Sequence, residues 1–116
     1  MWLLKIRYWL VSKLSEFYIK RNLFEKGLPL CVVLAELYEQ IEGSDNIASS
    51  QFYARIADLH FEHDAYSKAE QLYKHSLYLA ERATAKNPQD IVYTMNSLGV
   101  ILGKQSKTAE ALQVYS

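Results

Sequence analysis

The densest group of side chains that could do chemistry is the stretch 60–64, His-Phe-Glu-His-Asp. His60 and His63 are three residues apart, so on a helix both imidazoles could face one metal ion. No third ligand has a spacing that places it beside them. His60 also has the phase of a buried helix stripe, where a histidine is commonly a hydrogen-bonded core residue. The sequence therefore predicts a core role for His60 and no metal site.

Cys31 is the single cysteine of the chain. A catalytic thiol requires a positive, partly exposed setting and a nearby base, and Cys31 instead has the phase of a core position. One cysteine forms no internal disulfide, so nothing suggests an oxidising compartment. Gly99 and Gly103 lie on one predicted helix with no strand before them, so they do not form a phosphate-binding loop. We predict no catalytic residues, no enzymatic activity and no cofactor.

The chain has 116 residues, of which half are apolar, with 13 basic and 13 acidic side chains. The zero net charge argues against a nucleic-acid binder held by bulk charge, and the apolar content argues against disorder. Only four glycines and two prolines occur, which favours helices over many short strands. The charge is uneven, because residues 1–26 carry a net +4 and residues 27–116 a net −4. Such asymmetry can indicate contact with a membrane surface or an acidic partner.

The apolar start of the chain is too often interrupted to form a membrane span. Lys5, Arg7 and Lys13 break it before the ~20 apolar residues that a span requires, and its order of charged and apolar residues is not that of a secretory signal. We predict that residues 1–15 belong to a structural first helix. A mitochondrial presequence and a membrane contact remain open as alternatives, since no acidic residue precedes Glu16.

An internal repeat of 42 residues organises the chain. A large residue followed by a small one recurs at this spacing, as Leu14-Ser15, Ile56-Ala57 and Leu98-Gly99. Residues that favour turns or helix N-caps also recur every 42 residues, namely Asn22, Asp64 and Ser106. The repeat predicts three helix–turn–helix units over 4–46, 47–88 and 89–116. Their first helices are predicted at 4–20, 48–62 and 90–104, and their second helices at 24–42, 66–86 and 107–116.

Small residues on both helices of each unit predict close packing between them. On the first helices these are Ser15, Ala57 and Gly99, and on the second they are Gly27, Ala69 and Ala111. Since one hairpin cannot bury its apolar face alone, neighbouring units are expected to stack. In the first unit, Pro29 follows Gly27 near the predicted helix start, which predicts that this helix starts late or bends.

These residues resemble the tetratricopeptide repeat (TPR) family. The matching features are the large–small pairs with a bulky residue after them, and the small–aromatic pairs Ala69…Tyr73 and Ala111…Tyr115. The common TPR period is ~34 residues, and the longer spacing, with the stretches 69–77 and 87–99, is similar to the kinesin light chain type. The resemblance implies one all-α domain over residues 1–116, a right-handed α-solenoid of antiparallel helix–turn–helix repeats with about six helices.

The resemblance also implies a concave groove that binds a peptide or protein segment without catalysis. Aromatic side chains and asparagine suit an extended peptide, because asparagine both donates to and accepts from peptide groups. The groove candidates are the outward residues of the first helices: Trp9, Ser12, Lys13 and Glu16; Gln51, Arg55 and Asp58; Tyr93, Asn96, Ser97, Val100 and Lys104. Ile19, Ala54 and Phe61 share this phase.

Two other functions remain open beside a binding scaffold. The third unit stops at Ser116 within its second helix, where a solenoid normally carries a polar cap. We therefore expect either a fragment or an end covered by another molecule, which includes a homo-oligomer that forms through this uncapped unit. The apolar, basic residues 1–15 suggest instead an assembly factor associated with a membrane or mitochondria. We expect an intracellular protein, cytoplasmic or, as the alternative, mitochondrial, with a protein partner and no nucleic acid.

Overall fold

The structure, a computed structural model, describes residues 2–105. This part of the chain contains five α-helices and no β-strand, and the prediction of an all-α fold is confirmed for it. The helices are α1 (Trp2–Lys20), α2 (Phe24–Glu42), α3 (Ile47–Glu62), α4 (Tyr66–Arg82) and α5 (Pro88–Lys104). The sixth predicted helix, at 107–116, lies outside the described residues, as do Ser106 and Ala111.

The turns within the first two hairpins have the same construction. Asn22 and Asp64, 42 residues apart, both have positive φ angles, 58° and 61°. In each case the following amide donates to a carbonyl five residues earlier, over 2.9 Å, which closes the preceding helix as in a Schellman motif. Asn and Asp tolerate this left-handed conformation better than most residues. The predicted turn role is therefore confirmed, although both residues terminate a helix and neither is an N-cap.

Asparagine side chains cap the helices that follow the longer connections. Asn46 accepts from the amide of Ala48 at the start of α3, over 2.8 Å. Asn87 accepts from the amide of Gln89 at the start of α5, over 3.1 Å, and Pro88 takes the first helical position. A side-chain oxygen there satisfies an amide that has no partner within the helix, so these two residues set where α3 and α5 begin.

The predicted end of the second hairpin's second helix was wrong. α4 ends at Arg82 and not at residue 86, because Ala83 has an extended backbone (φ −62°, ψ 142°). The amide of Thr84 then donates to the carbonyl of Asp45, over 3.0 Å. This bond joins the connection after α4 to the connection after α2, and it takes the chain out of the helical path.

The first unit's second helix begins where the repeat predicts, and the late start expected from Gly27 and Pro29 is wrong. α2 begins at Phe24 and continues through Pro29. Proline removes the amide that would bond to the carbonyl of Glu25. Pro29 and Glu25 are both exposed, so water can solvate that carbonyl.

The helices pack in sequence as antiparallel neighbours, and α3 lies at the centre. α3 contacts α2, α4 and α5, whereas α1 contacts only α2 among the described helices at the level of the backbone. The core cluster comes from α2 to α5, and the one fully buried residue of α1 is Ser15.

Small residues occupy the tight contacts, as predicted. Ala57 and Ala69 have no exposed surface, and Ser15, Gly27 and Gly99 are also buried. A Cβ on Gly27 would lie 2.7 Å from the Cδ1 of Ile19, so this glycine packs against the last turn of α1.

A buried pair of serines joins α3 to α4. The hydroxyl of Ser50 donates to the carbonyl of Ser76 over 2.8 Å, and the hydroxyl of Ser76 donates to the carbonyl of Ser50 over the same distance. Both side chains have at most 1% of their surface exposed. Their small size permits close approach of the helices, and the reciprocal bonds leave neither buried hydroxyl unsatisfied.

Candidate functional site

The two histidines of the stretch 60–64 do not share a site. His60 is buried, and its Nδ1 lies 2.9 Å from the carbonyl oxygen of Ile56. Burial lowers the pKa of His60. His63 caps the end of α3, is exposed, and packs against Phe24 with ring centroids 3.6 Å apart. The predicted core role of His60 is confirmed, and within residues 2–105 no group of three or more metal-ligating side chains comes together.

We expect His60→Leu to remove a part of the acid sensitivity of folding. Because the folded-state pKa is lowered, the unfolded chain binds a proton first, and stability falls as the pH drops below the ordinary value of 6.5. Leucine occupies the equivalent repeat position at Leu102. Urea unfolding at about pH 7 and about pH 5 should show a smaller loss of stability in the variant. The exposed control His63→Gln should keep the wild-type loss, and an equal loss in His60→Leu would contradict this account.

Cys31 has the predicted core position. Its side chain is buried in the same cluster as Ala35 and Tyr53, and burial raises the pKa of its thiol. A raised pKa keeps the sulfur protonated and poorly nucleophilic. Cys31 therefore contributes to packing.

Two adjoining cavities lie where α3 and α5 run side by side. The first has a volume of about 380 Å³ and is lined by Ser50, Gln51, Ala54, Arg55, Asp58, Ser76, Asp90, Tyr93 and Thr94. The second, of the same volume, is lined by Asp58, Phe61, Glu62, Tyr73, Tyr93, Ser97 and Val100. Asp58 and Tyr93 line both cavities, so together the two form one trough, which we call the α3–α5 groove.

Asp58 is the central acceptor of the groove. The buried hydroxyl of Tyr73, from α4, donates to one oxygen of its carboxylate. The hydroxyl of Tyr93, from α5, lies 2.9 and 3.0 Å from the two carboxylate oxygens. Desolvation and the hydrogen bond to Asp58 raise the pKa of both tyrosines, so both hydroxyls stay protonated and act as donors. One carboxylate thereby joins three helices at the middle of the groove.

The ends of the groove carry different chemistry. Near the start of both helices, the side-chain amide of Gln51 donates to Asp90 over 2.7 Å. Arg55 is exposed, and its guanidinium lies 5.7 Å from the ring centroid of Phe52. The far end is more apolar, with Phe61 and Val100 among its lining residues.

The structure brings six of the predicted groove residues together. They are Gln51, Arg55, Asp58, Tyr93, Ser97 and Val100, with Ala54 and Phe61 from the same phase. Asn96 and Lys104 are exposed on α5 and do not line either cavity.

The four candidates on α1 also lie away from the groove. Trp9 and Lys13 are exposed, and the carbonyl of Ser12 accepts a hydrogen bond from Ser15 over 3.0 Å. Glu16 forms an ion pair with Lys20 at 2.9 Å. The groove thus involves two of the three predicted first helices.

Sequence reasoning missed several lining residues. Tyr73 reaches the groove from α4, and its helix phase identified it only as a core position. Ser50 and Thr94 are almost fully buried. The only sequence signal for them is that each is a polar residue within an apolar helix stripe. Asp90 lies in the first turn of α5, where acidic residues are common because of the helix dipole, and Glu62 is the last residue of α3.

His75 is partly buried and joins two helices. Its Nε2 lies 3.0 Å from a carboxylate oxygen of Glu39, which joins α4 to α2, and its ring packs edge-on against Tyr53 with centroids 4.5 Å apart. Partial burial raises the pKa of Glu39, but hydrogen bonds from His75 and Ser44 outweigh it, so the pKa lies below its ordinary value.

We expect Glu39→Gln to destabilise the fold by about 1 kcal/mol at neutral pH, since a hydrogen bond to a charged group contributes on that order. A lowered pKa means that this contribution is present above the ordinary value of 4.5 and is lost as the pH falls below it. Urea unfolding of wild type and variant should therefore converge towards acidic pH. Glu36→Gln, an exposed change on the same helix, is the control, and an equal effect in both variants would refute the contribution of this contact.

No protein-family model matches the sequence, and no curated protein matches it either. None of the helices within residues 2–105 combines the length and apolar character needed to cross a bilayer.

Proposed function

We propose that the protein is a TPR-type scaffold that binds an extended peptide or protein segment in the α3–α5 groove and performs no catalysis. The observation that carries this proposal is the pair of adjoining cavities that share Asp58 and Tyr93. Pockets that bind ligands are concave, largely pre-formed, and combine apolar walls with a few placed polar groups. The groove has this composition.

The repeat supports the family part of the proposal. The positive-φ residues Asn22 and Asp64 are 42 positions apart and close their helices with the same hydrogen bonds. Equivalent small residues, Ala57 and Gly99, are both buried. We propose on this basis that the hairpins are units of a right-handed solenoid of the kinesin light chain type, in which the α3–α5 groove lies on the concave side.

The groove's polar groups suit the backbone of an extended segment. Tyr93 and Ser97 can each donate and accept a hydrogen bond, and Tyr93 has half of its surface exposed. Asp58, Glu62 and Asp90 supply acceptors for peptide amides, whereas the exposed Arg55 can pair with an acidic side chain. Phe61 and Val100 offer an apolar subsite at one end. We therefore propose a segment that presents an acidic residue near Arg55 and an apolar residue about three positions further along. Phe61 lies six residues, or about 9 Å, beyond Arg55 on α3, and an extended chain advances ~3.3 Å per residue.

A peptide-display selection with wild-type protein tests the proposal. Selected peptides should bind Tyr93→Ala and Arg55→Glu at least ten times more weakly in fluorescence anisotropy, because these variants alter groove side chains that are not buried. Tyr78→Ala is the matched control, since Tyr78 is a similarly exposed tyrosine (53% against 50%) outside the groove. Peptides that bind all variants equally, with unchanged melting temperatures, would refute the groove assignment.

A further inference from the structure

The outward face of α1 carries more exposed large apolar side chains than any other described helix. Half of the exposed large apolar side chains found within residues 2–105 belong to this one helix. The tryptophans are the most prominent, with exposed fractions of 72% for Trp2 and 58% for Trp9. Soluble monomers rarely leave a patch of this kind without an interaction partner.

The exposed apolar residues form a stripe along the helix. At about 100° per residue they fall within an arc of about 140°, and they are Trp2, Leu3, Ile6, Trp9, Leu10, Leu14 and Phe17. The stripe is about 22 Å long at 1.5 Å per residue. The opposite side of α1, around the buried Ser15, packs on α2.

Basic side chains accompany the stripe. Lys13 projects within its arc, and Lys5 and Arg7 flank it; all three are exposed. The one acidic residue of α1, Glu16, is already paired with Lys20. The surface around the stripe is therefore positively charged. A second copy of the chain placed face to face would bring these like charges together, whereas an anionic surface would complement them.

We propose that this face of α1 docks on an anionic lipid bilayer, with the helix axis lying in the plane of the interface. Helices that bind in this way combine a stripe of Trp, Phe and Leu with flanking Lys and Arg, and tryptophan favours the headgroup level of a bilayer. Lys13 lies within the stripe and can extend its ammonium to the headgroups while its methylenes stay among the apolar side chains.

This docking and the peptide groove are separate properties. The α1 stripe faces away from α2, whereas the groove is formed by α3, α4 and α5. The backbone of α1 contacts none of those three helices. A membrane-bound molecule can therefore present its groove to a partner, and either property can fail without the other.

The chain's tryptophan content provides a specific readout. Trp2 and Trp9 are the only tryptophans in the sequence, so intrinsic tryptophan fluorescence reports on the α1 stripe alone. Vesicles of phosphatidylcholine with phosphatidylserine should shift the emission to the blue and carry the protein upward in a flotation gradient. Vesicles of phosphatidylcholine alone should do so at least ten times less well. Raised salt should weaken the binding, because it screens the lysines from the anionic lipid.

Variants complete the test. Trp9→Glu and the double change Lys5→Glu with Lys13→Glu should each reduce flotation at least tenfold, with unchanged helical circular dichroism. Val92→Glu, which introduces the same charge at an exposed apolar residue of α5, is the control and should float as the wild type does. Absence of a blue shift, equal binding to neutral vesicles, or equal loss in the control would overturn the proposal. Light scattering without lipid gives one more outcome that would overturn the proposal, namely a concentration-dependent dimer that Trp9→Glu dissociates. The stripe would then be an interface between copies of the chain.

Discussion

A leucine in place of Ala69 is expected to lower the free energy of unfolding by about 3 kcal/mol, because overpacking of a filled core typically costs 1–3 kcal/mol and occasionally more. Ala69 has no exposed surface and belongs to the same core cluster as Ala57 and Leu72. The larger side chain can be accommodated only if α3 and α4 move apart. Such movement would also strain the reciprocal hydrogen bonds between Ser50 and Ser76, whose carbonyls accept over 2.8 Å.

Urea unfolding monitored by circular dichroism measures this effect. Gln71→Leu adds the same side chain on the exposed side of α4, and it should change stability by less than about 0.5 kcal/mol, as surface substitutions usually do. A loss of about 1 kcal/mol or less for Ala69→Leu would mean that the helices are not held at the separation that the small residues indicate.

The repeat predicted most of the described helices because local chemistry repeats with it. α2 runs from Phe24 to Glu42 as predicted, and α3 and α5 begin within two residues of their predicted starts. At these places a turn residue or a capping asparagine adjoins an apolar stripe, and both signals are readable in sequence. The end of α4 was missed because its decisive contact, from the amide of Thr84 to Asp45, joins residues distant in sequence.

The candidate site was predictable to the level of a helix face and no further. Helix phase identified Arg55, Asp58 and Tyr93 as outward residues, and these line the groove. Phase does not reveal which side chains meet, so the hydrogen bond of Tyr73 to Asp58 and the contact of His75 with Glu39 were both missed. Each of these bonds joins two helices, and their geometry depends on how the helices are rotated against each other.

Asp58→Ala is expected to destabilise the protein by about 2 kcal/mol, because the hydroxyl of Tyr73 loses its charged acceptor, and a hydrogen bond to a charged group contributes about 1.5–3 kcal/mol. Only 2% of Tyr73 is exposed. Tyr73→Phe removes the hydroxyl as well as its need for an acceptor, so the double variant should be more stable than the sum of the single effects predicts. A coupling of at least about 1 kcal/mol in this double-mutant cycle, from urea unfolding, is the expected result.

Tyr93→Phe is the comparison that relates the pair of Tyr73 and Asp58 to the groove. Tyr93 donates to the same carboxylate, but half of its surface is exposed, so water can replace the lost bond and stability should change by less than about 0.5 kcal/mol. Equal costs for Tyr73→Phe and Tyr93→Phe, or additive effects in the cycle, would contradict the expectation that Tyr73 stabilises the fold through Asp58 and that Tyr93 does not. If this expectation is met, the bond from Tyr73 keeps Asp58 in place on α3. A bound segment could then displace the hydroxyl of Tyr93 and bond to a carboxylate that is already oriented, which reduces the ordering required on binding.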